Sequence, residues 1–248
     1  MLRTFKIEKY HADIVPESTL FKALKYLDKE RLETPFLIID RSKVKEKTSL
    51  IGHYINNAEV FYAVKANPDI SVVRFLNKLD MGFEISSEGE LEILSTLRVK
   101  PERIISSNPV KTLKFLHMAA SYGVSYFSFD SVDEVEKMSK MVPHSCVYVR
   151  LSVPNEGSEW PLSRKFGVEL DEALDLLLYA RKKRLRPVGI TFHVGSQCTN
   201  LYNWNIALDK AKTLWDMAEK KRIKLNVLNI GGGYPITYTK NVINIETI

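Results

Sequence analysis

The stretch EVFYAVKANPDISVVRFLNKLDMGFEISS, residues 59–87, decides the fold. Its β-favouring run at 59–66 breaks at Asn67-Pro68, and a segment of helical period follows at 71–79. A second apolar run then begins at Met81, 22 residues after the first. Strand, helix and strand in this order predict two parallel strands joined by a crossover helix.

The same unit recurs along the chain. Further strands are predicted at 103–108, 126–131, 147–153, 187–196 and 227–233, with amphipathic segments between them. This alternation of strands and helices predicts an α/β fold of the (β/α)8 TIM-like barrel type, with a doubly wound open sheet as the alternative. Only seven barrel strands are found, so we expect the eighth to be absent. The first forty residues precede the repeat, and 35–40 are expected to form a strand or helix outside it.

Polar or glycine residues gather where the predicted strands end, which favours the barrel. In a barrel all the carboxyl ends of the strands open on one face, whereas an open sheet uses mainly those beside its switch point. The residues concerned are Lys65, Glu84, Ser86, Asn108, Asp130, Arg150, His193, Ser196, Gly231, Gly232 and Gly233.

Composition excludes several classes of protein. The chain of 248 residues is 45% hydrophobic and 27% charged, which is ordinary for a soluble globular protein. It shows no signal peptide and no apolar run of the ~20 residues that span a membrane, so we expect a cytoplasmic protein with no membrane partner. The net charge of +6 is spread along the chain apart from Arg181–Arg184, and no nucleic-acid motif accompanies it. Cys146 and Cys198 form neither a disulfide framework nor a metal-binding pattern.

Lys65 lies where an apolar strand breaks, and two hypotheses account for it. A strand-end lysine can extend its ammonium group to water while its aliphatic stem stays buried. Alternatively, Lys65 is a nucleophilic amine that attacks a carbonyl group. The residue alone leaves both open.

Two other strand ends carry motifs with a possible chemical role. Gly231–Gly233 predict either a phosphate cradle of backbone N–H groups or a tight turn, and they lack the ATP and NAD fingerprints. His193 is either a hydrogen-bonded core residue or a proton donor or flat ring against a planar cofactor, and Ser196 adds a hydroxyl. A lysine nucleophile, a flat ring and a phosphate cradle together indicate pyridoxal phosphate (PLP).

Seven motifs, in chain order, resemble the barrel domain of the fold-type III PLP-dependent decarboxylases. They are FYAVKANPD, GFEISSEGELEIL, PERIISSNPVK, FSFDS, WPLSRKFGV, FHVGSQC and NIGGGYP. The resemblance runs from about Thr34 to Pro235 and is closest to the ornithine decarboxylase group among the ornithine, lysine, diaminopimelate and arginine decarboxylases. It implies a PLP-binding barrel at 41–248 that lacks its eighth strand and the C-terminal β-domain of the family. Residues 1–40 would pack against that β-domain.

The resemblance also assigns roles. Lys65 is the lysine that forms the Schiff base with PLP, His193 lies against one face of the cofactor, and Glu84 lies close to both. Ser196 and the amides of Gly231–Gly233 lie near the phosphate.

Three further residues are implied by the same resemblance. Arg150 is expected in the pocket as a cofactor-binding residue. Glu90 and Asn108 are weaker candidates, for which a solvated helix face and a strand-end turn are the alternative explanations.

The activity implied is decarboxylation of a basic amino acid by a cytoplasmic homodimer, with ornithine giving putrescine in polyamine biosynthesis. Lysine, diaminopimelate or a carboxylated polyamine are alternative substrates. A non-catalytic paralogue or regulatory fragment, and a single-domain PLP carrier, are alternative functions. In the family, a carboxylate on the eighth strand keeps the pyridine nitrogen protonated, so the chain alone is expected to bind PLP loosely and to decarboxylate poorly.

Overall fold

Seven short parallel strands form the centre of the protein. The computed structural model describes residues 17–30, 37–159, 165–237, 242–243 and 245–247. The strands are β1 (Phe61–Ala63), β2 (Gly82–Glu84), β3 (Ile104–Ile105), β4 (Tyr126–Phe129), β5 (Cys146–Arg150), β6 (Arg186–Thr191) and β7 (Val227–Asn229). They pair in chain order, as β1-β2-β3 and β4-β5-β6-β7, and a parallel bridge between Ser106 and Phe127 joins the two ladders. The predicted α/β fold is confirmed, and the seven predicted strands are found among the described residues.

The sheet is strongly curved, which decides between the two topologies. The side-chain amide of Asn229, at the end of β7, lies 3.1 Å from the Ser107 hydroxyl just after β3. In a flat sheet these two strands, four places apart, would be roughly 19 Å from each other at the usual strand spacing. The strands therefore wrap around a common interior, as in a barrel, and the open-sheet alternative is wrong.

In the described ranges, one helix follows each of the first six strands and two helices precede β1. The early pair are α1 (Glu17–Glu30) and α2 (Arg41–Tyr54); the crossover helices are α3 (Ile70–Lys78), α4 (Glu88–Thr96), α5 (Leu113–Tyr122), α6 (Val132–Met141), α7 (Leu170–Lys182) and α8 (Leu201–Lys220). Polar side chains cap most of their first turns, for example Asp69 on α3, Ser87 on α4 and Thr112 on α5. The cations Arg181 and Lys182 lie in the last turn of α7, where the helix dipole favours them.

The core lies between the strands and this layer of helices. Phe83, Phe127, Phe129 and Val147 are fully buried, and every residue of β5 from Cys146 to Val149 is buried. A parallel strand covered on both faces reads as a continuous apolar run, which is the pattern of VYV in β5.

Several predicted boundaries are wrong. The strands end earlier than predicted: β6 stops at Thr191 instead of residue 196, and Lys65 lies in a 3-10 turn at Val64–Ala66. After β6 the chain leaves the ladder, and the Gly195 N–H bonds to the His193 side chain instead of to a neighbouring strand. Residues 37–40 are neither strand nor helix, and Asp40 caps α2; residues 35–36 lie outside the described part. Within the described ranges, no helix is long and apolar enough to cross a bilayer.

Candidate active site

Four predicted site residues lie at the carboxyl ends of the strands. We call this end of the barrel, marked by Lys65, Glu84, Arg150 and His193, the mouth. Lys65 follows β1, Glu84 ends β2, Arg150 ends β5 and His193 follows β6. The charge of Lys65 acts on the pKa of both Glu84 and His193, and the charge of Arg150 acts on His193. The structure therefore brings these groups within electrostatic range of one another.

His193 is a neutral imidazole at this mouth. Burial, followed by the positive charges of Arg150 and Lys65, lowers the pKa of His193 from 6.5 to about 4. The backbone N–H of Gly195 donates to Nδ1 at 3.0 Å. Because Nδ1 accepts a hydrogen bond, the neutral ring carries its proton on Nε2. His193 thus presents an uncharged flat ring with a defined tautomer.

Glu84 is a buried carboxyl held in place by its neighbours. Its Oε1 accepts hydrogen bonds from the Ser107 N–H and the Ser86 hydroxyl, both at 3.2 Å. Burial raises the pKa of Glu84, and Lys65 opposes this shift. A carboxyl poised in this way can stabilise a neighbouring cation or exchange a proton.

Arg150 brings a cation to the mouth without a close carboxylate. Its guanidinium carbon lies 5.1 Å from the centre of the Phe166 ring. Burial lowers its pKa, while Asp130 and Glu84 oppose the shift from a distance. Among the described residues no ion pair within 4 Å is found for it, and the Asp130 carboxylate accepts from the Gly167 N–H. An unpaired arginine beside an aromatic ring is suited to binding an anion.

Lys65 is exposed to solvent in its 3-10 turn, while the preceding Val64 is fully buried. The buried valine anchors the turn against the core. The ε-amine is consequently free to reach a ligand at the mouth, as the nucleophile hypothesis requires.

The glycine run packs directly on His193 and its loop. A Cβ on Gly231 would lie 2.3 Å from the Phe192 carbonyl oxygen, and one on Gly233 would lie 2.0 Å from the Gly195 oxygen. Only glycine fits at these two positions, and both have positive φ, +70° and +97°. The Gly231 N–H donates to Asn229 Oδ1 at 2.9 Å, whereas the N–H groups of Gly232 and Gly233 have no partner within the described chain.

Comparison with known proteins decides the family. Residues 41–248 match the family described as pyridoxal-dependent decarboxylase, pyridoxal binding domain. The chain belongs to this family. Its relatives include a lysine/ornithine decarboxylase of Selenomonas ruminantium, 41% identical over 221 residues, which are 89% of this chain and 56% of the relative. An ornithine decarboxylase of Caenorhabditis elegans is 34% identical over 84% of this chain and 50% of its own length.

Solved structures of the family have the same fold. The Selenomonas ruminantium lysine decarboxylase, crystallised with PLP and cadaverine, superposes with a TM-score of 0.83 at 38% identity over 94% of this chain and 58% of its own. The predicted PLP-binding TIM-like barrel, its family and its cofactor are thereby confirmed. The chain spans about half the length of the curated relatives it matches.

The donor set of the mouth fits PLP. Two unpartnered amides, those of Gly232 and Gly233, can bind a phosphate group, and Arg150 adds a positive charge. A Cβ on Gly232 would lie 3.6 Å from His193 Nε2, so its amide and the imidazole border the same space. An aldehyde-bearing ring with a phosphate at one end matches this arrangement of amine, flat ring and amides.

The remaining predicted residues contribute less. Ser196 is exposed, and its carbonyl oxygen accepts from the Glu159 N–H. Glu90 accepts from the Ser86 N–H at 2.7 Å and belongs to the cap of α4, so a solvated helix face is the wrong explanation for it. The carbonyl oxygen of Asn108 accepts from Lys111 Nζ at 3.0 Å, which supports the strand-end explanation.

Sequence reasoning missed three residues that connect the site. Asn229, Ser107 and Tyr148 link the glycine run to Glu84 through hydrogen bonds inside the barrel. A polar residue at the end of β7 and a tyrosine in the apolar strand β5 were the available signals. Neither signal reveals a partner, because Ser107 and Asn229 are 122 residues apart.

Proposed function

We propose that this protein is the cofactor-binding part of a PLP-dependent enzyme that decarboxylates a basic amino acid, with ornithine as substrate and putrescine as product. One observation carries the proposal: an accessible Lys65 lies within electrostatic range of a neutral His193 and a buried Glu84, beside two unpartnered glycine amides. The family to which the chain belongs supports the reaction type.

Each residue has a task in this proposal. PLP, when bound, supplies an aldehyde that takes up an amine and a ring that accepts an electron pair. Lys65 would hold the aldehyde carbon through Nζ and give way to the α-amine of the substrate. His193 would pack against the ring as a neutral plane, and Glu84 would stabilise positive charge near Nζ. The Gly232 and Gly233 amides, with Ser196 and Arg150, would bind the phosphate.

The substrate class rests on the relatives. Cadaverine, the ligand bound to the Selenomonas ruminantium enzyme, is a diamine, and the curated relatives are named for lysine and ornithine. Ornithine is the proposed substrate and lysine is its closest competitor, since the two differ by one methylene group.

Assembly and location are part of the same proposal. We propose a homodimer in the cytoplasm, in which residues 1–40 pack against a β-domain and 41–248 bind the cofactor. The exposed Phe21 and Tyr26 of α1, at 68% and 53%, are apolar surfaces suited to such packing. The free and buried thiols of Cys146 and Cys198 agree with a reducing compartment.

The test is to titrate the purified 248-residue chain with PLP, follow the absorption spectrum, reduce with borohydride and map the label by mass spectrometry. We expect one label, on Lys65. Lys65→Ala should abolish it, and Lys78→Ala, which removes an exposed lysine at the end of α3, should leave it unchanged.

Carbon dioxide release from ornithine and from lysine then tests the reaction. Label scattered over surface lysines would contradict the cofactor site. A specific label on Lys65 without turnover by the chain completed with a β-domain would favour the non-catalytic paralogue instead.

A further inference from the structure

A chain of hydrogen bonds crosses the interior of the barrel beneath the glycine run. Asn229, the last residue of β7, accepts from the Gly231 N–H through Oδ1 at 2.9 Å and donates through Nδ2 to the Ser107 hydroxyl at 3.1 Å. The Gly231 N–H can only donate, so its position fixes which end of the Asn229 amide is the oxygen. Both the oxygen and the nitrogen of the Asn229 side chain are therefore engaged in hydrogen bonds.

The direction of every proton in the chain follows from this. The Tyr148 hydroxyl donates to the Ser106 carbonyl oxygen at 3.1 Å, which uses its one proton. Ser107 must then donate to the Tyr148 oxygen, 3.0 Å away, and accept from Asn229. The sequence of donors runs from Asn229 through Ser107 and Tyr148 to the Ser106 carbonyl group. Such a chain is rigid, because each bond polarises the next and none can reverse alone.

The same chain reaches the catalytic side of the mouth. The backbone N–H of Ser107 donates to Glu84 Oε1 at 3.2 Å. Tyr148 is 1% exposed and Ser106 is fully buried, so water does not compete for these groups. One set of bonds thus connects Gly231 on one side of the barrel with Glu84 on the other.

We propose that Asn229 and Ser107 are positioning residues for the phosphate of the cofactor. This inference rests on the proposed function. Asn229 accepts a hydrogen bond from the Gly231 N–H. This bond turns the Gly231 amide away from the ligand and fixes the orientation of the Gly232 and Gly233 amides. Ser107 fixes Asn229, since an amide that only accepted from Gly231 would be free to rotate. Asparagine suits this position because it accepts and donates at once, whereas leucine or alanine would do neither.

The test compares PLP with pyridoxal, which lacks the phosphate. The dissociation constants of both are measured by absorption titration for the wild-type chain and for Asn229→Ala. We expect Asn229→Ala to weaken PLP binding about tenfold, since displacing a glycine amide from the charged phosphate costs about that factor, and to change pyridoxal binding less than about twofold. Asn226→Ala is the matched control, because Asn226 is an exposed asparagine three residues earlier whose side chain makes no hydrogen bond within the described part.

Ser107→Ala and Tyr148→Phe keep the test decisive if Asn229→Ala fails to fold. Each should lower the preference for PLP over pyridoxal about threefold, because each breaks the series of hydrogen bonds beyond Asn229, at Ser107 or at Tyr148. Equal weakening of PLP and pyridoxal binding, or an unchanged preference for PLP in all variants, would overturn the positioning role of Asn229 and Ser107. The proposed function would still stand. A wild-type chain that fails to bind PLP at Lys65 would overturn the proposed function, and the inference with it.

Discussion

At the scale of single residues, the state of His193 is set by its surroundings. Burial and two nearby cations disfavour the imidazolium, and the Gly195 amide occupies Nδ1. A charged ring would repel Lys65 and Arg150, whereas the neutral ring can lie flat beside them. The protonation state of one side chain therefore determines what the mouth can accommodate.

This state predicts a pH dependence of stability. The pKa of His193 is about 4 in the folded protein, below its ordinary value of 6.5, so the unfolded chain binds the proton first as the pH falls. The free energy of unfolding should therefore decrease between pH 6.5 and 4, and His193→Gln should remove that part of the slope. Urea unfolding at several pH values measures it. His117→Gln removes an exposed histidine from α5. An equal loss of slope in this variant would show that His193 is not its source.

The glycine run offers a second prediction at this scale. Gly233→Ala should lower the free energy of unfolding by at least about 2 kcal/mol, because φ is +97° and the new Cβ would strike the Gly195 oxygen. Gly232→Ala adds the same methyl group at ordinary contact distance and should cost less than about 1 kcal/mol. Denaturant unfolding of the pair measures the difference, and equal losses would show that backbone conformation is not the cause.

At the scale of elements, a buried lysine fastens the loop after β3 to β4 and α6. Lys111 Nζ donates to the carbonyl oxygens of Asn108 at 3.0 Å and Ser128 at 2.6 Å, and it lies 2.9 Å from Glu134 Oε1 on α6. Glu134 is also paired with Lys137 at 2.6 Å. Three elements meet at this one ammonium group, which is fully shielded from solvent.

Removing this group should loosen all three elements. Lys111→Met should lower the free energy of unfolding by about 2–4 kcal/mol, because carbonyl groups lose a buried donor while Glu134 keeps Lys137. Burial lowers the pKa of Lys111 to about 8, so the unfolded chain retains the proton longer and wild-type stability should rise from pH 8 to 10.5. Lys114→Met, an exposed lysine on α5, is the control. An equal rise of the free energy of unfolding with pH in Lys111→Met would show that Lys111 is not the group responsible.

Local pattern predicted the elements well. Alternation of apolar strands with helical segments placed β1 to β7 and α3 to α8, since β4, β5 and β6 are mostly buried and five of these six helices begin at a residue whose side chain caps the first turn. The strand ends were predicted too long, because Lys65 and His193 already belong to loops. The helix α2 was missed, since its 14 residues carry no buried side chain and hence little amphipathic signal.

Long-range bonds could not be predicted in this way. The motifs placed Lys65, Glu84, Arg150 and His193 at one face, which the structure brings together. The sequence could have revealed the structural role of Glu90, because Ser87 and Glu90 have the spacing of a capping box. It could not reveal that Asn229 binds Ser107, since partners so distant in the chain are set by barrel curvature.

At the scale of the whole molecule, the seven strands are unevenly joined. β5 pairs with β6 from Cys146 to Arg150, whereas β3 has two residues and meets β4 through the single bridge at Ser106. Two backbone hydrogen bonds make that bridge, from Ser106 to Tyr126 and from Ser128 to Ser106, at 3.0 and 2.8 Å. Side chains reinforce it, since Lys111 and Tyr148 both bond to carbonyl groups beside it.

The thin junction between β3 and β4 divides the protein into two units that should open separately. Amide hydrogen exchange should show β1, β2 and β3 exchanging together through a sub-global opening, at a lower free energy than the amides of β5 and β6. Lys65 and Glu84 lie in the first unit, and His193 and the glycine run in the second. A ligand that touches both units would close this opening, so protection of β1–β3 from exchange would report that the two halves of the site are joined.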